Sequence, residues 1–349
     1  MLTISGMGDA PLKLTDRGLY CERGDFYVDP WRPVPRAVIT HAHADHACRG
    51  SEWYLTSREG QGVLQVRMGA EARIEAVGYG ESVDLNGVKV SLHPAGHILG
   101  SSQVRVESRG RVMVVSGDYK VEADRTCSGF EPVRCHVFLT ESTFGLPIYR
   151  WPSEEEVFEE VNSWWRENAE KGRASLLMGY ALGKAQRLLS GLDASIGPIV
   201  AHGAVVPLWR AYREAGIALP EVKTVSEFPA KTDWGGALVI APPSAQGSPW
   251  SRRFGAVSTG FASGWMRIRG TRRRKSIDRG FVLSDHADWP GLLGAIEATG
   301  AEEVWVTHGY SSVLSRYLNE RGISAQPLTT RFSGEEGAEE SAQESEAAE

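Results

Sequence analysis

Cysteine is scarce in this sequence. The four residues Cys21, Cys48, Cys127 and Cys135 form no CxxC pair, which argues against a disulfide framework and against a cysteine-built zinc cage. Long apolar runs are missing too: none approaches the roughly 18 residues of a membrane span. The opening stretch MLTISGMGDAPLKL has no charged segment followed by an apolar one, so a cytoplasmic chain without a secretory leader or membrane contact is expected. Nor is there an excess of basic charge. The net charge is −6, which at first argues against nucleic acid as a partner. Its distribution reverses that view. Residues 334–349 hold seven glutamates and no basic residue, so taking them from −6 leaves +1 on the rest. Residues 252–279 hold nine Arg or Lys against one acid, Asp278. A disordered acidic tail over 333–349 and a locally basic surface are therefore expected.

What is present is a chain able to bury a sizeable core, with 42% hydrophobic and 23% charged residues over 349 positions. Up to residue 144 it reads as short strands between Gly-rich turns: RAVIT (36–40), VKVSLHP (88–94), VRVE (104–107), RVMVVSG (111–117) and VFLT (137–140). The texture then changes. SEEEVFEEVNSWWREN (153–168) has an N-cap serine, early acids and spaced Phe158, Val161 and Trp165, which predicts a capped amphipathic helix. Strand and helix alternate from there, so a small parallel sheet is expected in the middle block.

Three of only nine histidines fall within six residues, His41-Ala-His43-Ala-Asp45-His46, straight after an apolar run. A strand ending in a tight turn presents His41 and His43 to one cation and Asp45 with His46 to a neighbour. Imidazole and carboxylate together suit zinc or a related divalent ion. Six residues cannot close two such sites. Further donors stand where other strands end in Gly turns: His97 in HPAGHILG, Asp118 in VVSGDYK and His308 in VTHGY. The count then closes, with His41, His43 and His97 on one ion, Asp45, His46 and His308 on the second, and Asp118 between them. Two ions ~3.5–4 Å apart clamp the attacking and leaving oxygens of a phosphoryl centre. GYALGKAQR (179–187) is a Gly turn before a helix, and Gly183 with Lys184 make a candidate anion site that lacks Walker spacing. Arg272, Arg273 and Arg274 lie in RIRGTRRRKSIDR and are candidates for the nucleic-acid backbone, with Trp250, Phe261 and Trp265 nearby for stacking.

The run HAHADH, then GH, SGD and THG, resembles the metallo-β-lactamase fold. LTESTFG (139–145) and LSDHADW (283–289) resemble the first two signatures of the β-CASP nucleases, and VTHG the third. FYVDPWRPVPRAVITHAHADH, PAGHILGSSQV and GYALGKAQRLL look most like the bacterial ligase-associated DNA exonucleases, relatives of Artemis-type repair nucleases. The resemblance covers residues 1–332. It implies an α/β fold: a four-layer αβ/βα sandwich built from 1–144 and 276–332, with a β-CASP-like α/β cap inserted as 145–275. It implies that Asp29 supports the metal site through a ligating histidine, that His286 meets the scissile phosphate and protonates the leaving oxygen, and that Glu141 is its partner. It assigns Asp285 no role, and Asp288 reads as a helix cap.

The activity so implied is 5′-to-3′ hydrolysis of DNA from single-stranded or frayed ends in repair, with two divalent ions, zinc or manganese. The Gly183–Lys184 turn would then take a terminal 5′-phosphate. An ATP-dependent DNA ligase and a DEXH-box helicase follow as partners from the resemblance alone. Three alternatives stay open. One is an RNA-processing ribonuclease of the same group, another a small-molecule metallo-hydrolase of this fold, and the third a non-catalytic subunit.

Overall fold

The structure is a computed structural model that describes residues 10–268, 270 and 277–329. The chain divides into two compact units, one of residues 1–148 with 286–349 and one of residues 149–285.

Among the described residues, the first unit holds two sheets. In the six-stranded sheet, β1 (Lys13–Thr15), β2 (Gly18–Cys21) and β3 (Phe26–Val28) form an antiparallel meander, and β4 (Ala37–Val38), β5 (Tyr54–Ser57) and β6 (Ile74–Val77) extend it in parallel. Helix α1 (Gln61–Met68) packs on β5 and β6. In the seven-stranded sheet, β7 (Ser82–Leu85), β8 (Val88–Pro94), β9 (Ser102–Ser108) and β10 (Arg111–Val115) run antiparallel. Parallel strands β11 (Val137–Glu141), β17 (Glu303–Thr307) and β18 (Ser324–Pro327) complete it.

Period-two alternation explains how this second sheet is covered on both faces. Met113, Val115, Leu139 and Trp305 share a buried cluster with Val28, Val38 and Leu55 of the six-stranded sheet. Their neighbours Val114, Phe138, Val304 and Val306 point the other way. There they meet Leu292, Ala295 and Ile296 of α5 (Trp289–Thr299) and Leu314 and Leu318 of α6 (Ser311–Glu320). Asp288 caps α5, its side chain accepting the Gly291 N–H at 2.9 Å.

The second unit leaves the first after β11 and returns before β17, although those two strands are hydrogen-bonded neighbours. It carries a fully parallel five-stranded sheet in the order β13 (Ile199–Ala201), β14 (Leu238–Ala241), β12 (Ala174–Met178), β15 (Val257–Ala262), β16 (Arg279–Phe281). Helices α2 (Glu154–Glu170), α3 (Lys184–Ser190) and α4 (Val206–Glu214) alternate with its strands. The predicted helix is α2. Ser153 and Glu156 exchange side-chain and backbone bonds in a capping box, and Phe158, Val161 and Trp165 are buried. The predicted break at 275 falls short of this unit's end, because β16 at 279–281 pairs with β15. The unit runs on to Asp285.

Candidate metal centre

The chemistry-bearing residues of the first unit stand at the C-terminal ends of strands from both of its sheets, strands that run in one direction within each sheet. Asp29 follows β3, the histidine run follows β4, His97 follows β8, Asp118 follows β10, Glu141 ends β11 and His308 follows β17. β8 and β10 are both antiparallel to β9, so their C-terminal ends lie on the same side. Glycines let the turns close. Gly117 has φ +58° and Gly309 φ +56°, and a Cβ on Gly309 would stand 2.5 Å from the Ser142 carbonyl oxygen. Two non-glycine residues also adopt the left-handed region here, Asp29 (φ 44°) and His308 (φ 56°). Such backbone strain persists only where surrounding structure over-determines it.

His41 Nε2 lies 3.1 Å from His43 Nδ1, and His97 Nε2 lies 3.0 Å from the same atom. Ligands about 2.0–2.1 Å from a tetrahedral zinc stand roughly 3.3 Å apart, so these ring nitrogens are spaced as a cation would need. Asp118 faces them, its Oδ2 3.6 Å from His41 Nε2 and 3.9 Å from His97 Nε2. The same oxygen is 3.5 Å from His46 Nε2, and Asp118 Oδ1 is 3.7 Å from His308 Nδ1. Asp118 thus belongs both to the ligand-spaced group His41–His43–His97–Asp118 and to His46–Asp118–His308. Asp45 stands outside the second group, with its Oδ2 3.8 Å from His46 Nε2.

Two buried atoms at this place, His46 Nε2 and Asp118 Oδ1, have no hydrogen-bond partner among the described residues. Orphaned polar atoms in a buried site are costly unless something satisfies them, and a cation suits both. The donor set of imidazoles and carboxylate therefore fits divalent metal, zinc foremost.

Asp29 organises these donors. Its carboxylate accepts from His46 Nδ1 at 2.7 Å, from Thr40 Oγ1 at 2.6 Å and from the Thr40 N–H at 2.8 Å. Thr40 Oγ1 in turn lies 3.1 Å from His41 Nδ1. With its proton given to Asp29, the hydroxyl accepts from His41. Each imidazole then carries a proton on Nδ1 and turns Nε2, the atom a cation would take, toward Asp118. Sequence reasoning missed Thr40, although a hydroxyl directly before the first histidine of the run is visible in the sequence.

Electrostatics follow from burial and these neighbours. Burial holds His41 well below the ordinary imidazole range, helped by nearby His46 and His97. Burial also opposes charge on His46, but Asp118 and Asp45 outweigh it and hold His46 well above that range. Asp118 lies well below the usual carboxylate range, the charges of His46 and His286 overcoming its desolvation.

His286 and Glu141 are both buried, and His286 Nδ1 lies 2.9 Å from each Glu141 oxygen. Glu141 also accepts the Tyr119 N–H at 2.8 Å. The His286 ring stands 4.7 Å from that of His97, centroid to centroid. A third ligand-spaced group, Asp118–Glu141–His286, arises from this proximity.

The expected anion site in the second unit fails on its own chemistry. Lys184 is 1% exposed, and its ammonium is committed to Asp285 Oδ2 at 2.9 Å and the Leu283 carbonyl at 3.0 Å. The Gly183 N–H is given to the Gln186 side chain at 2.8 Å. Both groups are thus engaged by partners of the same unit. Phe261 and Trp265 are buried in this unit, so they serve packing rather than base stacking. Arg272, Arg273, Arg274 and the acidic tail lie outside the described residues.

No family model matches the sequence. Among curated proteins, a probable DNA ligase of Opitutus terrae is 32% identical over 310 residues, 88% of this chain and 30% of that protein. The cleavage and polyadenylation specificity factor subunit 3 of Dictyostelium discoideum is 35% identical over 123 residues, and endoribonuclease YSH1 of Saccharomyces cerevisiae 34% identical over 125. Each of these two matches covers 35% of this chain and 16% of the relative. The chain thus spans less than a third of the length of the curated relatives it matches. A crystal structure of a protein of unknown function from Enterococcus faecalis V583 shares the fold, with a TM-score of 0.54 and 13% identity over 86% of this chain and 80% of that one.

Proposed function

We propose that this chain is a metal-dependent phosphodiesterase that degrades DNA as a 5′-to-3′ exonuclease acting on single-stranded or frayed ends. One observation carries the reading: two ligand-spaced groups share Asp118, with the His286–Glu141 pair beside them. The relative that matches 88% of the chain is named as a probable DNA ligase, which favours DNA and a setting in repair beside a ligase; the resemblance of the motifs adds that the ligase is ATP-dependent and that a helicase is a further partner. The first unit is then the four-layer metallo-β-lactamase core and the second the β-CASP-like cap.

In this reading His41, His43, His97 and Asp118 hold one ion, and His46, His308 and Asp118 the other, with Asp45 completing the second set. Such ions, when bound, acidify a water and neutralise charge on phosphoryl oxygens. The protein's own part is orientation and proton movement. Asp29 and Thr40 hold His46 and His41 with Nε2 forward. Glu141 accepts the Nδ1 proton of His286, which leaves Nε2 as the atom turned away from Glu141. Water oxygen bonds to phosphorus and sheds a proton, the P–O bond to the sugar 3′ oxygen breaks, and His286 Nε2 protonates that oxygen.

A second reading is a ribonuclease of RNA processing, favoured by the two relatives named for polyadenylation-linked cleavage and endoribonuclease activity. Digestion of matched end-labelled DNA and RNA strands, each with a 5′-phosphate or a 5′-hydroxyl, separates them. Stepwise shortening of DNA from the 5′ end supports the first. Internal cuts in RNA with DNA left intact refute it.

A further inference from the structure

Resting on the nuclease reading, we propose that Asp285, clamped by Lys184 and Arg187, is a positioning residue that fixes the backbone presenting His286 to the leaving oxygen. Lys184, Arg187 and Asp285 are each 1% exposed. Asp285 Oδ2 lies 2.9 Å from Lys184 Nζ and its Oδ1 2.8 Å from Arg187 Nη1. Lys184 and Arg187 stand three apart on α3, so they project from one side of that helix. The same two cations also hold the backbone just upstream. Lys184 Nζ donates to the Leu283 carbonyl, and Arg187 Nη1 to the Ser284 carbonyl. Three consecutive residues are thereby tied to one helix, and the next residue is His286.

On the far side of the histidine, the Ala287 N–H donates to the Tyr119 carbonyl at 2.6 Å, and the Tyr119 N–H donates to Glu141. Within the second unit, the peptide that leads into His286 is therefore held by buried charges. Glu154, 3.6 Å from Arg187 Nε, balances the second cation. Buried ion clusters are poor devices for stability, since well-packed apolar residues do as well or better, but they impose geometry. Geometry is what a proton donor requires: displacement by about 1 Å from its acceptor costs on the order of 100-fold in rate. The GYALGKAQR segment is thus assigned to the histidine rather than to a phosphate.

The test compares two phosphodiesters on one enzyme sample: a DNA strand, whose sugar leaving group needs a proton, and the p-nitrophenyl ester of thymidine 5′-phosphate, whose leaving group does not. The quantity read is the ratio of kcat for the ester to kcat for DNA, which is independent of the fraction of enzyme folded. His286→Ala sets the full change in that ratio. Asp285→Asn is expected to raise it tenfold or more toward that limit, with metal content per active site unchanged. The double variant Lys184→Met/Asp285→Asn removes one cation with the carboxylate, leaves no uncompensated buried charge, and is expected to do the same. A ratio that stays at the wild-type value in both variants overturns the proposal. Wild-type protein that cleaves neither substrate refutes the nuclease reading instead, which is a distinguishable result.

Discussion

Replacing Asp29 by Asn keeps the size of the side chain and changes one property. The amide retains a single acceptor oxygen, which can still take the Thr40 N–H at the position of Oδ1. Its NH2 group then occupies the place of Oδ2, where the carboxylate now accepts from both His46 Nδ1 and Thr40 Oγ1. Donor would face donor. His46 escapes by moving its proton to Nε2, the atom that faces Asp118 at 3.5 Å. Thr40 loses the acceptor for its hydroxyl and with it the reason to accept from His41. Loss of such a supporting partner typically weakens metal affinity by about 10–100-fold, which is about 1.4–2.7 kcal/mol. The damage should concentrate on the ion held by His46 and His308. The set of His41, His43 and His97 keeps its nitrogen spacing and should suffer less. Titration of stripped protein with zinc against a chromophoric chelator measures both affinities. One weakened and one nearly intact affinity is expected in Asp29→Asn. Two unchanged affinities refute the reasoning that tautomer control runs through this carboxylate.

Other outcomes follow from the same geometry. Asp118→Ala should abolish cleavage while nucleic-acid affinity, read by anisotropy in the presence of zinc, stays close to wild type; retained cleavage removes Asp118 from the mechanism. His286→Ala should lower kcat on DNA by about 10²–10⁴-fold, the usual worth of a positioned general acid, and kinetics on a labelled strand checks it. In metal-free protein, the contribution of His46 is full below its unfolded value and is lost as pH rises through its raised folded value, while that of Asp118 is lost as pH falls through its lowered one. Thermal melts of stripped protein should therefore show this pair most stabilising above the unfolded carboxylate value and below the unfolded imidazole value, and a pH-independent difference from the double variant His46→Gln/Asp118→Asn contradicts it. Gly309→Ala should destabilise by more than about 1 kcal/mol, since a positive φ and a backbone clash at 2.5 Å both oppose a methyl group; an unchanged melting temperature contradicts that placement.

Much of the centre was legible because ligand chemistry leaves local marks. Three histidines and an aspartate within six residues are rare, and His97, Asp118 and His308 each stand where a β-rich run meets a Gly turn. Period two and short apolar runs then mark the strands whose C-terminal ends carry them. What stayed hidden depends on long-range pairing. Nothing in GYALGKAQR shows that Lys184 is neutralised by a carboxylate a hundred residues on, because a buried salt bridge has no spacing of its own. The boundary at Asp285 was missed for a similar reason. β16 is a three-residue edge strand whose assignment rests on pairing with β15 rather than on its composition. Thr40 was overlooked because its role lies in whom it bonds, Asp29 on one side and His41 on the other.

The central claim is that distant donors converge to hold two cations side by side. Anomalous diffraction at the zinc edge from crystals of zinc-loaded, active protein tests it most directly. The account predicts two peaks, one among His41, His43, His97 and Asp118 and one among His46, His308 and Asp118. A single peak, or zinc held elsewhere in the molecule, contradicts it.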